Sequence, residues 1–135
     1  MKLLGVYRSP YVRRVAATMN FMGIAFEHEP VPVFDTPDVV RKHNPVVRVP
    51  TLVLDDGDAL IESFAILDWL DEQAGPAKRL TPASGLPRRA VMKTTAVATA
   101  AVDKTIWAAY EPRFHPPEKV HQPWIEHNEG QAMGG

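Results

Sequence analysis

Thirteen prolines punctuate this chain, and each restricts what the backbone around it can do. Proline holds φ near about −65° and has no N–H, so it opens or ends helices and is barred from central strands. Ser9-Pro10 therefore reads as a helix start, with serine as N-cap and proline as the first helical residue. The apolar run before it, Lys2 to Tyr7 with Leu3, Leu4 and Val6, reads as a strand. The helix is expected from Tyr11 to about Met22, with Val12, Val15, Ala16, Met19 and Phe21 toward its buried side and Gly23 as the stop. Phe26 to Pro32 reads as another strand, which Pro30 and Pro32 confine to a sheet edge.

Thr36 to His43 has the outline of a short helix, with Thr36 or Asp35 as N-cap, Pro37 near its start and Asn44-Pro45 closing it. Val49-Pro50 leads into a strand at Thr51 to Leu54. Asp55-Asp56-Gly57-Asp58 then makes a hairpin turn into Ala59-Leu60-Ile61, so these two strands are antiparallel neighbours. Ser63 reads as the cap of a helix from Phe64 to Gln73, with Phe64, Leu67, Trp69 and Leu70 on its apolar side and Gly75-Pro76 ending it. The order over residues 1–80 is βαβαββα. Lys78 to Pro87, with Pro82, Ser84, Gly85 and Pro87, has linker composition, which places a boundary near 80–86: a first domain over 1–80, a linker over 81–87 and a second domain over 88–135. Arg88 to about Tyr110 is alanine-rich, with Val91, Thr95, Ala98, Val102, Ile106 and Ala109 at helical intervals, a long amphipathic helix. Glu111 to Pro123 is expected to be irregular because of its prolines, and Trp124 to Met133 to form one more helix. Trp69 and Trp107 read as core residues.

Composition narrows the function. Apolar residues make up 45% and charged residues 23%, the balance of a folded, water-soluble chain. Fifteen Lys and Arg against sixteen Asp and Glu give a net charge of −1, which argues against nucleic acid as a partner. The longest apolar stretch, Ala96 to Val102, is too short to cross a bilayer, and Arg8 interrupts the N-terminus too early for a signal-peptide core. The expected location is cytoplasmic, with no membrane partner. There is no cysteine, so disulfide frameworks, thiolate metal sites and cysteine-based catalysis are excluded. His115, His121 and His127 recur at intervals that put successive residues on different helix faces, in a proline-rich segment. That spacing does not suit a metal site, and surface or packing positions are expected for the histidines.

The element order puts Ser9-Pro10-Tyr11-Val12 between the first strand and the first helix, where thioredoxin-like folds carry their reactive loop. Glutaredoxins have Cys-Pro-Tyr-Cys there; in this chain the two cysteine places are Ser9 and Val12, so disulfide exchange is impossible. What remains is a hydroxyl at a helix N-terminus, a place that favours negative charge such as a bound thiolate. In these residues the chain resembles the glutathione transferase superfamily. Ser9-Pro10-Tyr11-Val12-Arg13-Arg14-Val15 looks like the serine-type loop of plant tau-class and many bacterial members. Asn44-Pro45-Val46-Val47-Arg48-Val49-Pro50-Thr51-Leu52 resembles the family segment whose last proline is cis. Glu62 to Glu72 resembles its Glu-Ser helix, and Ala98 to Tyr110, Pro116 to Lys119 and Trp124 to Glu126 resemble the first helices of its second domain.

The resemblance implies an α/β fold: a thioredoxin-like N-terminal domain, βαβαββα with a mixed four-stranded sheet, followed by the first helices of an all-α C-terminal domain. It implies glutathione as co-substrate, no metal, and an electrophilic small molecule as the second substrate, in the manner of detoxification enzymes. Ser9 would donate a hydrogen bond to the glutathione sulfur, with Tyr7 as the rival, since other classes use a tyrosine near this place. Val49, ahead of Pro50, would offer backbone groups to the cysteinyl part. Glu62 and Ser63 would hold the γ-glutamyl end, and Arg48 would reach the glycine carboxylate. Trp107 and Tyr11 would line the hydrophobic-substrate pocket. Only about 50 residues follow residue 85, fewer than the family's helical domain needs. The chain is thus either a fragment or a short form, and its long apolar stripe implies a homodimer or a helix-exchanged oligomer. The competing reading is a non-catalytic binding module, like transferase-fold proteins such as the stringent starvation proteins, which act by binding RNA polymerase.

Overall fold

In the computed structural model, which describes residues 1–135, the opening strand β1 is confined to Lys2–Leu4. The apolar run continues to Tyr7, but the chain turns at Gly5, and Val6 O accepts the Ser9 N–H at 3.0 Å. Tyr7 and Arg8 therefore form a turn and not the end of a strand. Helix α1 spans Pro10–Met22, and Ser9 Oγ accepts the Val12 N–H at 3.4 Å, the capping role expected of it. Gly23 ends the helix with a φ of 72°, a left-handed cap that glycine adopts without steric cost. Val12, Val15, Ala16, Met19 and Met22 are buried, whereas Phe21, expected near the buried side, is 74% exposed. Val15, Met19 and Met22 follow the i, i+4, i+7 stripe of a helix, and Phe21 falls outside it.

Strand β2 (Glu27–Glu29) pairs parallel with β1, which helix α1 makes possible by carrying the chain back to the same end. Strand β3 (Thr51–Val53) pairs antiparallel with β1, and β4 (Ala59–Ile61) antiparallel with β3. The sheet order is β2-β1-β3-β4, with β2 on the edge, where Pro30 and Pro32 cost no ladder bonds. The short helix α2 covers Pro37–Arg41, less than the expected Thr36 to His43; the Thr36 side chain makes no capping bond. Helix α3 covers Ser63–Ala74, with Glu62 in the cap position, so Ser63 is the first helical residue and not the cap. Its inner face is Ser63, Ile66, Leu70 and Asp71; Phe64, expected inward, is exposed, and Leu67 and Trp69 pack at the margin of the core. This is a thioredoxin-like fold with a mixed four-stranded sheet.

Leu3 and Leu4, adjacent in β1, point to opposite faces of the sheet. Leu3 joins Val12, Val15, Ala16, Met19, Met22, Leu52, Ile66 and Leu70 in the main core under α1 and α3. Leu4 joins Val31 and Val40 in a smaller cluster on the other face. On that face Lys2 also pairs with Glu29 at 3.1 Å and Glu27 at 3.4 Å, and hydrogen bonds to these carboxylates, Glu29 foremost, raise its pKa.

The chain divides into two compact units, Met1–Thr81 and Pro82–Gly135. In the second, helix α4 spans Gly85–Phe114, a 3-10 turn follows at Pro117–Lys119, and helix α5 spans Gln122–Gly134 and packs on α4. Both helices include prolines expected to lie outside them. Pro87 and Pro123 lie in first turns, where the missing N–H has no intrahelical acceptor to lose, and Pro112 lies in the last turn, where it removes a single bond. The irregular stretch is therefore shorter than Glu111 to Pro123. Glu111 Oε1 accepts the His121 N–H at 3.1 Å, which ties the end of α4 to the start of α5. Trp107, expected in the core, is 59% exposed, and Ala108 is the buried residue of α4. No helix is long and apolar enough to cross a membrane.

The first unit closes on a buried carboxylate. Asp71 accepts the Leu80 N–H at 2.6 Å and the Thr81 N–H at 2.9 Å, tying the end of the unit to α3. Asp71→Ala leaves both donors without their charged acceptor and is expected to cost about 2–3 kcal/mol in urea unfolding, reported by Trp69 fluorescence. An unchanged midpoint would show that water replaces the carboxylate at no cost.

Candidate functional site

The strand registers decide which segments meet. Leu4 at the end of β1 faces Thr51 at the start of β3, and Thr51 faces Ile61 at the end of β4. The chain leaving β1 toward Ser9, the chain entering β3 through Val49-Pro50, and Glu62-Ser63 after β4 are thereby placed at one end of the sheet. The resemblance named residues from all these segments.

Gly5 is the point of closest approach. A Cβ at this position would lie 2.6 Å from Val12 Cγ2 and 2.8 Å from Val49 Cβ, and φ is +126°, outside the range open to side-chain-bearing residues. The absence of a side chain lets the first turn of α1 and the loop before β3 close on the same backbone. The Val49–Pro50 peptide is cis. Val49 lies beyond the last ladder pair, and its N–H and C=O take no backbone partner within the chain.

Asn44, almost fully buried, organises the loop that carries Val49. Its Nδ2 donates to Arg48 O at 3.0 Å and to Thr51 Oγ1 at 3.1 Å, its Oδ1 accepts the Val46 N–H at 2.9 Å, and Thr51 Oγ1 donates to Arg48 O at 2.9 Å. The loop contains Val47 at a φ of 56°, uncommon for a β-branched residue, and Glu62 on the facing segment has a φ of 67°. Strain of this kind concentrates at ligand sites. Arg48 Nη1 meets Glu62 Oε1 at 2.6 Å, so the two residues expected to hold opposite ends of a ligand are ion-paired, both about half exposed. Ser63 is buried at the start of α3, whose first N–H groups have no intrahelical acceptor.

Ser9 and Tyr7 part company. Ser9 is partly exposed at the head of α1, its oxygen accepting from Val12 while its proton stays available to donate. The Tyr7 ring lies flat on the His28 imidazole, centroids 3.9 Å apart and planes 7° apart. His28 Nε2 donates to Gly5 O at 2.7 Å, and Arg13 Nη1 donates to Tyr7 O at 3.1 Å. Because β1 ends at Leu4, Tyr7 and Ser9 do not share a strand face. Tyr11 is half-buried in the first turn of α1, and Trp107 sits on α4 in the second unit. Burial pushes the Arg14 guanidinium below its ordinary pKa, partly offset by Tyr11. No group of three or more His, Asp or Glu side chains is placed to hold a metal ion.

Sequence reading missed Gly5 and His28. Neither carried a signal of its own: a glycine after a strand and a histidine on an edge strand are ordinary until the register shows what they touch.

A thioredoxin-like domain with a serine-capped first helix and a cis-proline loop defines a structural class, and comparison with known proteins narrows it. The family described as Glutathione S-transferase, N-terminal domain, matches residues 3–78. The chain belongs to this family. It is 31% identical over 103 residues to the uncharacterized GST-like protein YibF of Escherichia coli (strain K12), covering 76% of this chain and 50% of that one. With the probable glutathione S-transferase GSTU6 of Oryza sativa subsp. japonica the identity is 29% over 125 residues, covering 93% and 47%. Among solved structures, the glutathione S-transferase of Methylobacillus flagellatus KT with glutathione bound superposes with a TM-score of 0.90 at 30% identity, covering 98% of this chain and 65% of that one. A family member from Pseudomonas fluorescens Pf-5, also with bound glutathione, gives 0.87 at 27% identity, covering 98% and 66%. The chain spans about half the length of these curated relatives.

The contact at Gly5 yields a prediction. Gly5→Ala combines a forbidden φ with overpacking and is expected to destabilise the first unit by about 2–5 kcal/mol. Gly23→Ala, where φ is 72° and the nearest atom outside the helix end is Lys78 Nζ at 4.0 Å, is expected to cost only about 1 kcal/mol. Equal losses in thermal or urea unfolding would mean that the close approach at Gly5 relaxes freely.

Proposed function

We propose that this chain binds glutathione along the end of the sheet where Ser9, Val49 and Glu62-Ser63 meet, and holds it as the thiolate for attack on an electrophilic small molecule. The observation that carries this reading is the placement of Ser9: a free hydroxyl proton at the N-terminus of α1, one turn from the Gly5 contact that joins α1 to the Val49 loop. The N–H and C=O of Val49, without backbone partners in the chain, suit antiparallel pairing with the cysteinyl backbone of the tripeptide. The N-terminus of α3 with Ser63 suits the γ-glutamyl carboxylate, and Glu62 its ammonium group. Arg48 suits the glycine carboxylate, moving from its ion pair with Glu62 to the ligand.

In this scheme the thiol proton passes to solvent and the sulfur keeps the electron pair. A hydrogen bond from Ser9 and the helix dipole stabilise the anion, which lowers the thiol pKa. The thiolate then forms a carbon–sulfur bond, either displacing a leaving group or adding to an activated double bond with a proton taken from water. The residue that activates sulfur is Ser9, whose hydroxyl stands at the N-terminus of α1, and not Tyr7 in the turn before it. The exposed Trp107, Tyr110, Phe114 and Trp124 of the second unit support association into a homodimer or helix-exchanged oligomer.

Ultraviolet titration of bound glutathione tests the reading. Thiolate is expected well below the pH at which free thiol ionises. Ser9→Ala removes a donor to the anion and is expected to raise the thiol pKa by about 1–2 units, the equivalent of a charge-assisted hydrogen bond. Tyr7→Phe is expected to leave it in place. The opposite pattern would transfer the role to Tyr7, and the absence of saturable binding would sink the glutathione reading in favour of a non-catalytic binding module.

A further inference from the structure

His28 is the one histidine whose ring is committed on two sides. Register pairs it with Leu3, so its side chain leaves the sheet on the face that carries α1, while Lys2, Glu27 and Glu29 are ion-paired on the other face. A carbonyl can only accept, so the 2.7 Å contact with Gly5 O fixes the proton on Nε2 and with it the orientation of the ring. The face of that oriented ring is where Tyr7 stacks. The β1–α1 loop is thus held through its peptide at Gly5 and its side chain at Tyr7, both by one residue of β2, and three further bonds complete the hold: Gly5 N–H to Glu29 O at 3.0 Å, Ser9 N–H to Val6 O at 3.0 Å, and Arg13 Nη1 to Tyr7 O at 3.1 Å.

The loop has little else to fix it. Tyr7 and Arg8 are exposed, and the Tyr7 ring lies on His28. Ser9 follows directly, and the direction of its hydroxyl depends on where that loop stops. We propose that His28 is a positioning residue, which braces the β1–α1 loop through Gly5 and Tyr7 so that Ser9 presents its hydroxyl to the bound sulfur. The inference rests on the glutathione reading given above, and it adds a residue of the edge strand that acts through Gly5 and Tyr7. It also accounts for Tyr7: the ring serves as the second arm of the brace.

The test compares the parent chain with His28→Phe and His28→Gln, using the thiolate titration together with amide hydrogen exchange at Ser9. Phenylalanine keeps a ring for Tyr7 but has no donor for Gly5 O; glutamine restores an N–H donor at similar reach. In His28→Phe we expect roughly three- to tenfold less thiolate at a fixed pH and a rise of similar size in the Ser9 exchange rate, the loss of one hydrogen bond, with affinity for the thiol form and the urea midpoint of the domain little changed. In His28→Gln most of both effects is expected to return. Titration and exchange within twofold of the parent in His28→Phe would overturn the brace, and so would equal losses in both variants that track global stability, which mark general loosening. A parent chain that neither binds nor ionises glutathione would overturn the underlying reading and this role with it; the parent titration alone separates that failure from failure of the brace.

Discussion

The first unit is organised around a place where no side chain fits. At Gly5 the backbone leaves β1, and the atoms on either side, Val12 Cγ2 and Val49 Cβ, stand where a Cβ would have to be. Two consequences follow from this approach. Helix α1 is seated so that its capped end lies at the C-terminal end of β1, and the loop before β3 is drawn against that same end. The packing at Gly5 therefore bears at once on the first turn of α1 and on the loop that carries Val49.

Around this contact polar groups fix what apolar packing leaves free. Asn44, almost fully buried, spends both ends of its amide on the loop from Val46 to Thr51, in which Val47 has a left-handed backbone uncommon for a β-branched residue. The Arg48–Glu62 pair is half exposed, so it contributes little to stability. The hydrogen-bonding amide of Asn44 is buried, whereas the Arg48–Glu62 pair is half exposed.

Much of the first unit was legible because its local signals agree. Serine before proline marked the start of α1, Gly23 its end, the Asp-rich turn the β3–β4 hairpin, and paired prolines an edge strand; all of these act within a few residues and need no partner. The errors share a cause. Phe21 and Phe64 were placed inward on apolar character, whereas which helical stripe faces the sheet depends on the sheet. Trp107 was placed in a core that α4 scarcely builds, since one partner helix covers only part of its surface. Pro87 reads as part of a linker and Pro112 and Pro123 as part of an irregular stretch, although a proline in a terminal turn forfeits at most one bond.

Of the candidate site, the sequence by itself determined the chemistry: a hydroxyl in place of cysteine at a helix N-terminus, an X-Pro segment entering a strand, and a carboxylate and hydroxyl at the head of another helix. Those are properties of residue type and of short-range backbone preference. Only the tertiary structure decided which groups meet. The antiparallel register of β1 with β3 and of β3 with β4 brought three distant segments to one end of the sheet, and the parallel register of β1 with β2 put His28 beneath Tyr7 and beside Gly5. Register is set by pairing between strands far apart in the chain, so no window of sequence contains it. That pairing puts the Tyr7 ring on His28, while Ser9, two residues further on, caps α1.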